Sequence, residues 1–249
     1  MTLFPQSSSG GSTTIPQGSY SLHKLLGSDL GDDREGHDWA AELLKIPPST
    51  ALELLSSNIK SLIESSEKDS AGHRLVDGLS PQVRARSESV SSGDTTPLQV
   101  TELHCSPTAE ELGRDLIQQS ILSKRFLSKR EPPITVKDYL LRLHRYCPMS
   151  TAVYLAASCY ITRIVVMDRV MELNPRNVHR LVLACLRVAM KTLEDLSYAH
   201  SRVAKVGGVT ERELSRLEIS FCFMADFELR VDSRMLFNQM KYLEDHGGD

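Results

Sequence analysis

No two of the five cysteines (Cys105, Cys147, Cys159, Cys185, Cys222) stand close enough to make a CxxC or any short, even spacing. That excludes a disulfide framework read from sequence and a local metal-ligand set, and the thiols read as reduced core packers. No apolar run reaches the roughly 18 residues a membrane-spanning helix needs. The longest candidate, Thr151 to Asp168, is broken by Arg163 and reads as a core helix. The N-terminus has no basic region ahead of an apolar run, so no signal peptide is expected, and the chain is placed in the nucleus and/or cytoplasm. Strong charge of one sign is missing too. Residues 1–131 carry 13 Lys and Arg against 18 Asp and Glu, and residues 132–249 carry 16 against 14. Neither half is basic enough to suggest nucleic acid, and the balance favours a protein partner.

Catalytic signatures are equally sparse. The run Lys205 to Thr210 (KVGGVT) has adjacent glycines but lacks the Lys-Ser/Thr of a phosphate-binding loop. Neither GxSxG, HExxH nor a carboxylate–histidine pairing occurs. His144, His179 and His200 fall at helix edges and read as surface or boundary residues. No enzymatic activity, cofactor or metal is expected.

What the chain does contain is helical periodicity behind a polar arm. Residues 1–36 and 64–105 are rich in Ser, Gly, Thr and Pro, with too little apolar surface to offset chain entropy, and are expected to be disordered. Ser80 and Thr96 within the second stretch and Ser106 just past it precede prolines, and Ser87 follows Arg84-Ala85-Arg86; these are possible phosphosites, or simply arm composition. Between the two stretches, a Thr50/Glu53 capping box and the stripe Leu52, Leu55, Ile59, Leu62 predict an amphipathic helix over Thr50–Ile63. It cannot bury that stripe alone, so it docks on the C-terminal domain or on a partner.

From Cys105 onward the pattern is all-α. A helix opens at Pro107 with a Thr108/Glu111 box and carries Leu112, Leu116 and Ile117 on one face. A second places Val136, Leu140, Leu143 and His144 together, and Pro148 ends it. A third, from Thr151, is apolar nearly all round and therefore central, with Ala156, Ala157 and Ser158 permitting close approach. Asn177 is placed as the cap of a fourth, whose buried face runs from Val178 to Leu193. Gly207 and Gly208 read as a sharp turn, after which a Thr210/Glu213 box starts a helix with Leu214, Leu217, Phe221 and Met224 inward. A last helix is predicted from Asp232 to Leu243. Two charges sit in apolar runs, Lys191 and Glu218; on spacing alone an ordinary salt bridge or two solvated residues would account for both.

The ordered segments FLSKREPPITVKDYLLRLHRYCPMS, YLAASCYITRIV, NVHRLVLACLRVAMKTLEDL and YAHSRVAKVGGVTERELSRLEISFCFMADFELRV, over Phe126 to Val231, resemble a cyclin box. The resemblance is to the fungal phosphate-pathway (PHO-type) and plant P/U-type cyclins. It implies a single five-helix box with an upstream helix and one C-terminal helix. The chain then divides into an arm over residues 1–105 and a cyclin-box domain over 106–246, with its core at 132–231. It also implies a non-catalytic subunit that binds and activates a cyclin-dependent serine/threonine kinase, in cell-cycle progression or nutrient-linked signalling. In the family a lysine closing the third helix and a glutamate in the fifth hold the kinase's PSTAIRE-type helix; here those positions are Lys191 and Glu218. Phe227, nine residues on, matches an aromatic anchor, and Cys222 lies one turn beyond Glu218 on the same face. Glu218 is expected off the buried stripe, at the rim of a docking face.

Two positions and one segment depart from the pattern. Thr162 stands where relatives carry an acid beside the arginine, which opens the question of what Arg163 pairs with. Ser220 replaces an acid two residues past the glutamate. The substrate-docking patch of two-box cyclins is not recognisable in VKDYLLRL, and a second box is not expected. The competing reading is a cyclin-fold adaptor acting in transcription that binds protein or DNA without activating a kinase.

Overall fold

The computed structural model describes residues 38–73 and 109–246, and within them it contains nine α-helices and no strand. They are α1 (Trp39–Leu44), α2 (Pro48–His73), α3 (Ala109–Lys124), α4 (Val136–Tyr146), α5 (Thr151–Thr162), α6 (Val178–Leu193), α7 (His200–Gly207), α8 (Glu211–Met224) and α9 (Ser233–His246). Five of these, α4 to α8, are the five helices the resemblance implied.

α5 is the axis. Residues 153–162 are all buried, so it has no solvent face, and α2, α6 and α9 pack around it. Burying each Val, Leu or Tyr there contributes on the order of 2 kcal/mol before entropy is counted. The small side chains Ala156, Ala157 and Ser158 bring α2 close enough for polar contacts through the core. Asn58 Nδ2 donates to Ser158 Oγ at 2.8 Å and to Thr162 Oγ1 at 3.1 Å, while Gln239 Nε2 of α9 reaches Ser158 Oγ at 3.1 Å. A buried amide without such partners would be costly, so the network fixes the register of α2 and α9 on α5.

Several expected boundaries shift, each for a physical reason. α2 begins at Pro48, where a missing N–H costs nothing. The Thr50 N–H bonds to the Pro47 carbonyl at 3.0 Å, so Thr50 lies inside the first turn and Thr50/Glu53 is not a capping box. The stripe is nevertheless right: Leu52, Leu55 and Ile59 are fully buried, and they dock on the box itself. α2 also runs ten residues past Ile63, into the stretch expected to lack structure. Ser65 and Ser66 fold their hydroxyls onto the carbonyls of Ser61 and Leu62, at 2.9 Å each, so they are accommodated within the helix.

α1 was not anticipated from the sequence. Asp38 caps it by accepting the Ala41 N–H at 3.0 Å, and Trp39 packs on Phe237 of α9 with ring centroids 4.9 Å apart. Asn177 precedes α6 but does not cap it. Its side chain turns back, accepting the Asn174 N–H at 2.9 Å and donating to the Glu172 carbonyl at 2.7 Å. On α3, Ile117 is largely exposed, and among the described side chains Leu122 is buried, as is Phe126 just past the helix; the side chains of Leu112 and Leu116 lie outside those described. Thr108 lies outside the described residues, as do the phosphosite candidates Ser80, Ser87, Thr96 and Ser106.

Candidate functional site

α6 is buried nearly all round, yet it carries Arg187 and Lys191 four residues apart and therefore on one face. α8 supplies the opposing charge, and the turn before it sets its direction. Gly208 adopts φ +72°, the left-handed conformation that ends α7 and favours glycine. Gly207 serves a different purpose from the turn assigned to it. It is the last residue of α7, and a Cβ there would lie 2.6 Å from Leu183 Cδ2, so its smallness permits helix contact. The Thr210/Glu213 capping box then forms in both directions: Glu213 N–H to Thr210 Oγ1 at 3.1 Å, and Thr210 N–H to Glu213 Oε2 at 3.0 Å.

Two turns into α8, Glu218 meets α6. Arg187 Nε lies 3.2 Å from Glu218 Oε1, and Lys191 Nζ bonds to Oε2. His200 Nδ1, at the start of α7, is 3.4 Å from Oε1. The Arg187 guanidinium also donates to the Tyr198 carbonyl at 2.9 Å. Glu218 is 8% exposed and Arg187 4%, so the expectation of a rim carboxylate is corrected. Burying those charges is tolerable only because each is hydrogen-bonded to the other and to further partners. The Lys191 side chain is 46% exposed, so its ammonium sits at the surface, steadied from below by a buried carboxylate.

Beside this cluster α8 shows an apolar strip to solvent. Ile219 and Phe223 are 54% and 49% exposed, and Phe227 just past the helix is 60% exposed. The Phe223 and Phe227 rings meet edge to face, with centroids 5.1 Å apart. Phe227 is not a core residue, and it is held outward by unusual backbone. Asp226 and Phe227 have φ of +49° and +56°, a region bulky residues rarely occupy, and the Phe227 N–H bonds back to the Cys222 carbonyl at 2.9 Å. Cys222 is half-buried between strip and cluster, and burial, reinforced by the Glu218 charge, raises its thiol pKa. It remains a protonated contact surface at neutral pH.

Lys191, Glu218, Cys222 and Phe227 thus fall around one region, joined by Arg187, which sequence reasoning passed over, and by His200, which it read as a surface or boundary residue. The signal for Arg187 was its spacing from Lys191. Ser220 turns the other way, fully buried and accepting from Arg125 Nη1 at 3.1 Å. Arg163 finds its acid five residues later, with Nε 3.5 Å from Asp168 Oδ2, and also donates to the Glu228 carbonyl at 2.9 Å. Thr162 has become an acceptor for Asn58 instead. His144 bonds to the Tyr154 hydroxyl at 2.7 Å, and His179 is buried against Tyr139. Among the described residues no cluster of three His, Cys, Asp or Glu could hold a metal ion, and no helix is long and apolar enough to cross a membrane.

Residues 58–229 match the family described as Cyclin. The chain belongs to the cyclin family. It is 33% identical to Cyclin-U4-3 of Arabidopsis thaliana over 130 residues, which is 52% of this chain and 59% of that protein. Against Cyclin-P1-1 of Oryza sativa subsp. japonica the identity is 37% over 113 residues, 45% of this chain and 43% of the relative. Against the PHO85 cyclin-like protein psl1 of Schizosaccharomyces pombe it is 39% over 107 residues, 43% and 44% of the two chains. The chain therefore spans less than two thirds of the length of each of these relatives, which are PHO-type and plant U/P-type cyclins. The cyclin match starts at Asn58, in the middle of α2, well upstream of the Phe126 at which the resemblance began. The Asn58 contacts to α5 give that extension a physical basis. In cyclin terms, α6 is the third helix of the box, closed by Lys191, and α8 is the fifth, carrying Glu218.

Proposed function

We propose that this chain is the regulatory subunit of a cyclin-dependent serine/threonine kinase and docks through the face formed by Lys191, Glu218, Cys222 and Phe227. The observation that carries the reading is a half-exposed lysine, braced by a buried carboxylate, beside the solvent-facing strip Ile219, Phe223, Phe227. A braced ammonium has lost much of its rotamer freedom before binding, so it can donate to backbone carbonyls at a kinase helix terminus at reduced entropic cost. Aromatic residues beside it supply the desolvated anchor that interface hot spots need.

The chain performs no chemistry in this reading. It binds one arrangement of the kinase better than the other, the one in which a displaced helix pairs its glutamate with the catalytic lysine, and so shifts the population toward the active state. Cell-cycle progression or nutrient-linked signalling, in nucleus and/or cytoplasm, is the setting this role fits. The test is co-purification with a cyclin-dependent kinase and stimulation of its activity, repeated with Lys191→Ala and Phe227→Ala. Both variants alter exposed side chains and should fold normally. Unchanged association and stimulation in both would show that the docking face lies elsewhere.

A further inference from the structure

A second surface, distinct from that face, is built between α4 and α7. The two helices are tied by the Tyr139 hydroxyl, which donates to the Gly207 carbonyl at 3.0 Å, and by Arg202 Nε, which donates to the Tyr146 carbonyl at 2.9 Å. Between them opens a groove of about 720 Å³. Arg142 and Arg145 enter it from α4, and Arg202 and Lys205 from α7, each pair three residues apart and so on one helix face. None of the four has a carboxylate partner among the described residues. Arg202 is committed to a carbonyl and lies 4.9 Å over the Tyr198 ring, and Arg145 sits 5.7 Å over Tyr146. Asp138, at the edge of the groove, already accepts from the Thr135 hydroxyl at 2.7 Å as part of the α4 cap. Leu141 and Tyr146 add half-exposed apolar surface.

Four cations facing one groove repel one another, and here the fold holds them together with Asp138 as the one acid among the lining residues, in a chain whose net charge is −3. That arrangement favours an anionic ligand. Three of the four are arginines, whose planar forks match phosphate oxygens in pairs. The basic surface is short and flanked by apolar side chains, whereas nucleic acid calls for a longer basic stripe. We infer that the α4–α7 groove binds a phosphorylated segment of a partner protein, taking a phosphoserine or phosphothreonine on its cations and an adjacent apolar side chain on Leu141 and Tyr146. On the kinase-subunit reading proposed above, the groove would deliver proteins already carrying phosphate to the kinase.

The experiment uses the full chain without kinase. Fluorescence anisotropy is measured against a library of fluorescein-labelled phosphoserine peptides with degenerate flanks, its unphosphorylated counterpart, and a single-stranded oligonucleotide. Phosphorylated peptides should bind, more weakly as salt rises, and Arg142→Gln with Lys205→Gln should reduce affinity about tenfold or more by removing two charge-assisted contacts. Both substitutions are on exposed side chains and spare Arg202, which holds the two helices together. Equal binding of phosphorylated and unphosphorylated libraries overturns the proposal, as does undiminished binding by the double variant. Tighter binding of the oligonucleotide overturns it in favour of nucleic acid. Kinase association of the same variant, measured separately, should match the unmodified chain, so failure here and failure of the kinase reading are told apart.

Discussion

Replacing Glu218 by Ala and replacing Lys191 by Ala remove the two ends of one ion pair, yet they should have very different effects on folding. Glu218→Ala leaves Arg187, almost wholly buried, with the Tyr198 carbonyl and the Met190 sulfur as its remaining hydrogen-bond partners among the described residues. Removing one partner of a buried pair costs about 3–5 kcal/mol, because the surviving charge remains desolvated. Typical domains have only about 5–15 kcal/mol in total, so the loss is a large fraction of stability. For a domain of this size it corresponds to a fall in Tm of about 6–20 °C. Lys191→Ala removes a half-exposed ammonium and leaves Glu218 paired with Arg187, so about 0–1 kcal/mol is expected.

Urea denaturation followed by far-UV circular dichroism measures both. A third variant isolates the cause: Arg187→Met combined with Glu218→Leu removes both buried charges and should recover much of the loss seen in Glu218→Ala. The reasoning is refuted if Glu218→Ala unfolds within about 1 kcal/mol of the unmodified chain, or if Lys191→Ala loses as much as Glu218→Ala. The first result would mean that solvent compensates Arg187 once the carboxylate is gone, and the second that Lys191, not Arg187, carries the energy of the pair.

Phe227→Ala should leave stability nearly unchanged while weakening kinase association by about 2 kcal/mol or more, read by titration calorimetry. Phe227→Gly should fold at least as well as Phe227→Ala, because glycine accepts the positive φ without strain. Gly207→Ala should cost about 1–3 kcal/mol by overpacking against Leu183, and Gly208→Ala about 1 kcal/mol from φ alone, both by thermal denaturation. His179 gives a pH prediction. Burial lowers its pKa, against the opposing pull of the Ile134 and Thr135 carbonyls and Glu131. The Nε2 nitrogen lies 2.9 Å from the Ile134 carbonyl and Nδ1 has no hydrogen-bond partner among the described residues. Below the ordinary histidine pKa of about 6.5, the unfolded chain takes up a proton that the native state resists, so this contribution to stability is full above that pH and declines as pH falls below it. His179→Gln, which keeps a donor for Ile134, should flatten that part of a stability-against-pH curve; an unchanged slope would show that His179 titrates normally.

The fold was legible wherever apolar periodicity ran without interruption. The stripes of α2, α4, α5, α6 and α8 could be read because burial on one side dictates spacing, and the Thr210/Glu213 box because both partners are local. What escaped was decided by contacts distant in sequence. α1 is six residues long and gains its place from Trp39 on Phe237, nearly two hundred residues away. Asn177 looks like a cap by position, but the loop before it competes for its amide, and the loop wins both hydrogen bonds. Gly207 looked like half of a turn because helix ends and close approaches use the same residue. The difference lies in Leu183, on another helix.

The site was legible in its members more than in their arrangement. Apolar neighbours marked Lys191 and Glu218 as unusual; Arg187 stands four residues before Lys191, but nothing local says that it pairs with a glutamate on another helix. Arg187 changes what Glu218 is for. With one oxygen on Arg187 and the other on Lys191, the carboxylate joins an interior cation to a surface one and ties α6 to α8 at the point where both reach the candidate docking face. A partner that draws Lys191 away from Glu218 would leave the carboxylate still neutralised by Arg187, so engaging the lysine does not expose an uncompensated buried charge. The same cannot be said of a chain without Arg187, in which docking and folding would compete for one ion pair. Binding energy at this face can therefore be tuned through Lys191 and the Phe223–Phe227 strip, while Arg187 keeps the helices together.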